Sequence, residues 1–272
     1  MNDWGFYGAC VGLVLLSMLA VQNLFFRRRI SRLWQRVGQG PSPQAPSAGL
    51  PPLMRNYALR AGANPKAGDI AAILSQKAEL RLKRGGLFTR LKARQHVALG
   101  EVGFVWHAQR RFGPLNILRV IDSYVGGEGR LEARLLGLVT VARGKGVELT
   151  LAEAYRYLAE LPWAPDAILG NPALEWRIVG DSEIEARLNT RVGTARVVFE
   201  FDAAGDIVGM QARERPATDA DGRPVRYDWR GRFGDYERIG ERRLPTYGEV
   251  GYDYPEGYEV YFRARISDYQ LG

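Results

Sequence analysis

The side chains able to do chemistry are few and scattered. The chain holds two histidines, His96 and His107, and a single cysteine, Cys10. Neither histidine has a partner at metal-ligand or nucleophile spacing, and HExxH, CxxC and GxSxG are absent from the sequence. One cysteine builds neither an internal disulfide nor a thiolate metal set. Strand alternation puts His96 on one face with Arg90, Lys92 and Arg94, and His107 opposite Phe104 and Ala108, so both are expected in solvent. Gly127-Glu128-Gly129 lacks the last glycine of a dinucleotide fingerprint. Gly144-Lys145-Gly146 lacks the flanking residues of a phosphate loop, and both clusters read as hairpin turns. The sequence thus predicts no cofactor and no metal.

What remains is a density of aromatic and acidic residues. Trp106, Tyr124, Tyr155, Trp163, Trp176 and Trp229 are the candidate ligand-binding residues. Aromatics around an apolar or lipid ligand, with a carboxylate or arginine fixing its polar end, make a recognisable pocket chemistry. The same residues also suit a large core. Asp122, Glu160 and Asp166 lie among them. Two such carboxylates could do hydrolytic acid/base work, but no spacing singles out a pair. A membrane-tethered hydrolase and a non-catalytic protein-interaction module stay open beside the ligand-binding reading.

These residues sit on a β-rich framework. Period-two alternation starts at Ala78 and continues after the Gly85-Gly86 turn over 87–97. Strands follow at 103–112, 116–125 and 130–141, and after an interruption at 174–179, 183–190, 194–202, 206–214, 225–231, 235–239, 246–253 and 258–269. Val260, Phe262, Ala264 and Ile266 alternate with Glu259, Tyr261, Arg263 and Arg265, one buried face against one wet face. So many hairpin-linked strands must curl. The fold class is mainly β (α+β), a curled antiparallel sheet or half-barrel with a helical insert over 149–171, preceded by one transmembrane helix. In the insert, Thr150 and Glu153 suggest a capping box. Pro162 stops the first helix, and Pro165 starts a second short one.

The first 68 residues read differently. Trp4–Phe26 carries no charge, and as a helix would be about 34 Å long against a hydrocarbon core of ~30 Å. Arg27, Arg28, Arg29, Arg32 and Arg36 follow it directly. By the positive-inside rule the domain is cytoplasmic, with the bilayer bound through 4–26 and Arg27, Arg28 and Arg29; a periplasmic or extracellular domain is the alternative. Ile30, Leu33, Trp34 and Val37 suit an amphipathic stalk, with Trp34 at headgroup level. Residues 38–52 are rich in proline and predict an extended tether, before a short helix at 53–60. The division is an anchor over 1–27, a basic linker over 28–68 and a β-rich domain over 69–272. Net charge is +8. Residues 1–100 hold 15 basic and 3 acidic side chains, and the rest 23 and 27, so +12 sits beside −4. The basic excess therefore speaks for a membrane side and against nucleic acid.

The stretch from Val102 to Leu138, followed by YRYLAELPWAPDAILGNPALEW and WRGRFGDYERIGERRLPTYGEVGY, resembles a bacterial family of unknown function across roughly 70–270. PWAPDAIL is the most specific piece. In layout, a helix-plugged antiparallel meander with a late Leu-Pro before its final strands is similar to the lipoprotein-carrier (Lol-type) half-barrel. That resemblance implies a concave sheet holding acyl chains, and a periplasmic place at odds with the arginine flank.

Overall fold

Alternating apolar and polar residues make every ladder of the sheet antiparallel. The computed structural model describes residues 3–44, 49–113, 115–136, 139–219 and 221–272, and in the first helix the side chains of Tyr7, Leu13, Ser17 and all from Val21 onward. Among these residues there are thirteen strands. They are β1 Ala71–Arg81, β2 Phe88–Ala98, β3 Phe104–Phe112, β4 Leu115–Val125, β5 Glu128–Leu135 and β6 Val139–Lys145. After the helical insert come β7 Leu174–Gly180, β8 Glu183–Thr190, β9 Gly193–Phe201, β10 Ile207–Thr218, β11 Pro224–Ile239, β12 Arg242–Tyr254 and β13 Gly257–Leu271.

One sheet holds them all, in the order β6-β5-β4-β3-β2-β1-β13-β12-β11-β10-β9-β8-β7. Two meanders are therefore joined by the β1–β13 ladder, in which Ala78 pairs with Ala264 and Leu74 with Tyr269. β6 and β7 are the free edges, so the sheet is a curled half-barrel. Three expectations shift in detail. β1 begins at Ala71, seven residues before the alternation is obvious. The stretches 225–231 and 235–239 form one strand, in which Asp235 at φ +52° bends the chain without ending the pairing. The stretch 130–141 is instead two strands, and Leu136 takes φ +50° between them.

The insert fills the concave face. It comprises α3 Val147–Ala159, a 3-10 turn at Leu161–Trp163 and α4 Pro165–Gly170. Nine of α3's thirteen residues are buried, because the sheet curls round the helix on most sides. Phe104, Leu158, Leu161, Ile168, Phe199 and Trp229 are fully enclosed there. Each such side chain contributes roughly 1.5–3 kcal/mol by leaving water. The capping box does not form. Gly146 is the N-cap, and Thr150 lies a turn inside the helix, where its hydroxyl accepts from the Gly129 N–H. Thr150 thus ties α3 to β5 and leaves Glu153 free to face inward.

The segment read as a basic linker carries packed structure. A helix α2, Pro52–Arg60, places Met54, Tyr57 and Ala58 in the main core. Tyr57 donates to the Pro162 carbonyl at 3.1 Å, and Gln44 N–H to the Gly170 carbonyl at 2.8 Å. Pro46 lies outside the described residues.

The first helix, α1, runs from Asp3 to Val37. The membrane-spanning helix expected over 4–26 is not found. Among the described residues no helix is long and apolar enough to cross a membrane. Most side chains of Trp4–Ala20, Cys10 included, lie outside those residues. Its C-terminal half packs on the convex face of the sheet, where Phe26, Ile30 and Val37 meet Ala71, Ala98, Val105 and Ile121. Arg29 binds Glu132, which also receives Arg134, so this arginine is engaged with the protein. Trp34 stacks on His96 with ring centroids 4.7 Å apart, and Phe26 meets His107 edge-on at 5.9 Å.

Both histidines are therefore half-covered by α1, not solvated as alternation suggested. Alternation names the face but cannot foresee a helix lying on it. Burial, then the charge of Arg94 beside His96 and of Arg119 beside His107, pushes both pKa values down to about 4. A depressed histidine pKa means that protonation favours the uncovered state. Docking of α1 is thus strongest above the ordinary value of 6.5 and weakens as pH falls through about 4. Trp34→Ala is expected to bring both values back toward 6.5 in an NMR titration; histidines still titrating near 4 would refute α1 as their cover.

Candidate functional site

The half-barrel and α3 enclose a cavity of about 330 Å³. Its walls are largely apolar: Leu80, Val120, Leu131, Leu149, Phe233 and Phe262 come from both meanders and from α3. Glu148, Ala217 and Thr218 form a more exposed rim. Trp106, Trp163 and Trp229 line the same space. Trp163 fits because its neighbour is a glycine: a Cβ at Gly248 would stand 2.6 Å from the indole ring. The Trp163 N–H donates to the Pro245 carbonyl at 2.8 Å, which turns the apolar face of the ring inward. Of the other aromatic candidates, Tyr124 and Tyr155 are buried in the core away from the cavity lining, and Trp176 packs half-buried against the outer side of that core.

A chain of hydrogen bonds runs across the cavity floor. The Trp106 N–H donates to Gln76 at 2.8 Å, Gln76 to Gln95 at 2.9 Å, and Gln95 to Glu160. Arg156 then joins Glu160 at 2.9 Å to Asp122, and its guanidinium lies over the Phe104 and Trp106 rings. All five elements that supply these groups, β1, β2, β3, β4 and α3 with its C-cap Glu160, are needed to bring them together. Asp122 and Glu160 thus share one arginine, which leaves Asp122 Oδ1 without a partner. Asp122 is raised above the ordinary carboxylate range because burial outweighs the pull of Arg156.

Four groups on the cavity wall are not saturated. Among the described residues Asp122 Oδ1, Glu153 Oε2, Arg215 Nε and Trp229 Nε1 have no hydrogen-bond partner. Arg215 is 6% exposed; it donates to Tyr252 and, at 3.1 Å, to the Ala152 carbonyl, and lies 4.5 Å over the Trp229 ring. Among the described residues it forms no ion pair. Burial, reinforced by the negative charges of Asp122 and Glu160 against the opposing pull of Arg156 and Arg215, pushes the Glu153 carboxyl up to about 8. At neutral pH Glu153 is then a carboxylic acid. The cavity offers three unused donors, the Arg215 and Trp229 N–H groups and the Glu153 carboxylic O–H, and one unused acceptor on Asp122, set in apolar walls.

A raised acid pKa makes the native state bind a proton that the unfolded chain releases. Stability from this group is full below about pH 4.5 and is lost as pH rises through about 8. Glu153→Gln is expected to flatten that slope in denaturant titrations and to leave the variant more stable than the natural chain at about pH 9. An unchanged slope would show that Glu153 is ionised throughout.

A profile for a family of unknown function, DUF6544, matches residues 41–264. The chain belongs to this family. No curated protein is detectably similar to it. Among solved structures, this DUF6544 chain is similar to the LolA superfamily protein NE2245 of Nitrosomonas europaea, at 11% identity and a TM-score of 0.45, over 80% of this chain and 93% of that one. It is also similar to a DUF1329 family protein of Desulfovibrio piger, at 10% identity and 0.38, over 80% and 91%. The family of unknown function read from the sequence is found.

The sequence pointed to Trp106, Trp163 and Trp229, and to Asp122 and Glu160, by residue type alone. It missed Glu153, Arg156, Arg215, Tyr252 and Tyr261. Glu153 looked like a helix cap, Tyr261 looked like the wet face of its strand, and Arg215 lay beyond the strand expected over 206–214. A charged residue where the sheet curls over a helix gives no periodic sign of burial.

Proposed function

We propose that the DUF6544 half-barrel binds a single-chain amphiphile, with its acyl portion along the apolar walls and its head group against Arg215. The observation that carries this reading is Arg215, a buried guanidinium with an unused Nε–H and no ion pair among the described residues, beside the unpartnered Glu153 oxygen. The free Arg215, Trp229 and protonated Glu153 groups donate, which suits a head that brings acceptor oxygens, a carboxylate or an ester. A volume of about 330 Å³ is near the lower end of ligand pockets, ~300–1,000 Å³, and suits one chain. The hydrolytic alternative finds less support, since Asp122 and Glu160 already share Arg156. Native mass spectrometry of the purified full chain, followed by solvent extraction, is the test. A stoichiometric fatty acid or monoacyl ester supports the proposal. A chain that carries none and takes up neither oleic acid nor monoolein overturns it.

A further inference from the structure

We propose that one rim of the half-barrel is a docking surface for an anionic lipid bilayer. Antiparallel order puts the β1–β2, β3–β4 and β5–β6 turns at the same end of the sheet. Each carries large apolar side chains in water: Leu82 and Leu87 on the first, Phe112 and Leu115 on the second, Leu136 and Val139 on the third. Leu87 is 92% exposed and Phe112 73%. Outside α1, six of the thirteen large apolar side chains left exposed among the described residues belong to these three turns. Scattered exposed leucines need no explanation, but a row along one rim does.

The spacing favours a flat partner over a pocket. Successive turns are two strands apart, about 10 Å, so the row extends roughly 20 Å. Charge selects the kind of surface. The convex face beside the turns is a groove lined by Lys77, Arg90, Lys92, Arg110 and Arg111, and its acidic residue, Glu79, is already bound by Arg90 and Arg263. Apolar tips backed by cations match a hydrocarbon layer beneath anionic head groups.

Two further features lie on this rim. Along α1, Val37 stands near Gly103 at the opposite end of β3, Phe26 near His107, Asn23 on Arg119 and Gln22 on Arg134. The helix therefore runs toward the apolar tips as it is followed back to its N-terminus. Thr218, on the cavity rim, ends β10 at a turn on the same side of the sheet. A bilayer seated here would face the cavity opening.

The experiment places an environment-sensitive NBD label on single cysteines in the full chain, with Cys10→Ala as background. Leu87→Cys, Phe112→Cys and Val139→Cys report the rim, and Glu128→Cys reports the opposite end. Phosphatidylcholine vesicles containing phosphatidylglycerol are expected to blue-shift the three rim labels and expose them to lipid-borne quenchers, leaving Glu128→Cys unchanged; pure phosphatidylcholine should act weakly. The variant with Leu87, Phe112 and Val139 all changed to Ser should partition about tenfold less, with an unaltered thermal melt. Rim labels that stay aqueous overturn the proposal, and so do labels that respond equally at all four positions. A shift that needs no vesicles and grows with protein concentration overturns it in favour of contact between copies. None of these results bears on whether the cavity holds an amphiphile.

Discussion

Arg156→Met is expected to lower the stability of the protein by about 3–5 kcal/mol, measured by denaturant unfolding. The guanidinium is the shared partner of Asp122 and Glu160, and all three side chains are largely buried. Methionine replaces its length and part of its contact with Phe104 and Trp106, so lost volume is not the main effect. Two carboxylates would instead face a low-dielectric interior without their cation. Asp122, already raised by burial, would be pushed up further, and the deficit would grow with pH as it is forced to ionise. Adding Asp122→Asn and Glu160→Gln to Arg156→Met should recover most of the loss, because a neutral set has no buried charge to compensate. A cost below about 1 kcal/mol for Arg156→Met would mean that water reaches the network.

Arg215→Met should have the opposite profile: binding is lost while the fold holds. Here the buried cation has no ion pair among the described residues, only Tyr252, the Ala152 carbonyl and the Trp229 ring. Exchanging an uncompensated buried charge for an apolar chain of similar length removes a desolvation cost that those contacts only partly offset. The thermal midpoint should therefore stay level or rise. Affinity for oleic acid should fall roughly 10- to 150-fold, the value of one charge-assisted hydrogen bond of ~1.5–3 kcal/mol. Full retention of the ligand by Arg215→Met would place the head group elsewhere in the cavity. A collapse in stability would make Arg215 a structural residue.

These two arginines also mark the limit of sequence reading. Both are ordinary in the chain, one on an amphipathic helix and one in a strand beside Glu214 and Pro216. Arg156 sits on the helix that fills the half-barrel, so even the polar side of its stripe is enclosed. Arg215 is turned inward at an irregularity, the register shift between Ala212 and Arg215, where Glu214 takes φ +48°. A shift of this kind exchanges the two faces of a strand, and alternation counted along the chain then assigns the wrong one.

The opposite holds for the framework. Most of the strands, their hairpin turns, the insert after Lys145 and the short helix before Gly62 depend on near neighbours and were legible from residue order. So were Trp106, Trp163 and Trp229 as large aromatics worth placing. Gly144-Lys145-Gly146, by contrast, ends β6 and caps α3 where a hairpin turn was expected. What required the folded chain was every relation across the sheet. α1 lies over His96 and His107, Arg29 reaches Glu132, and Glu153 faces inward across from Arg215. Local periodicity and turn chemistry act within a few residues, so the sequence states them directly. Burial, charge pairing and the shape of a cavity arise between residues a hundred positions apart, and only tertiary closure decides which of them meet.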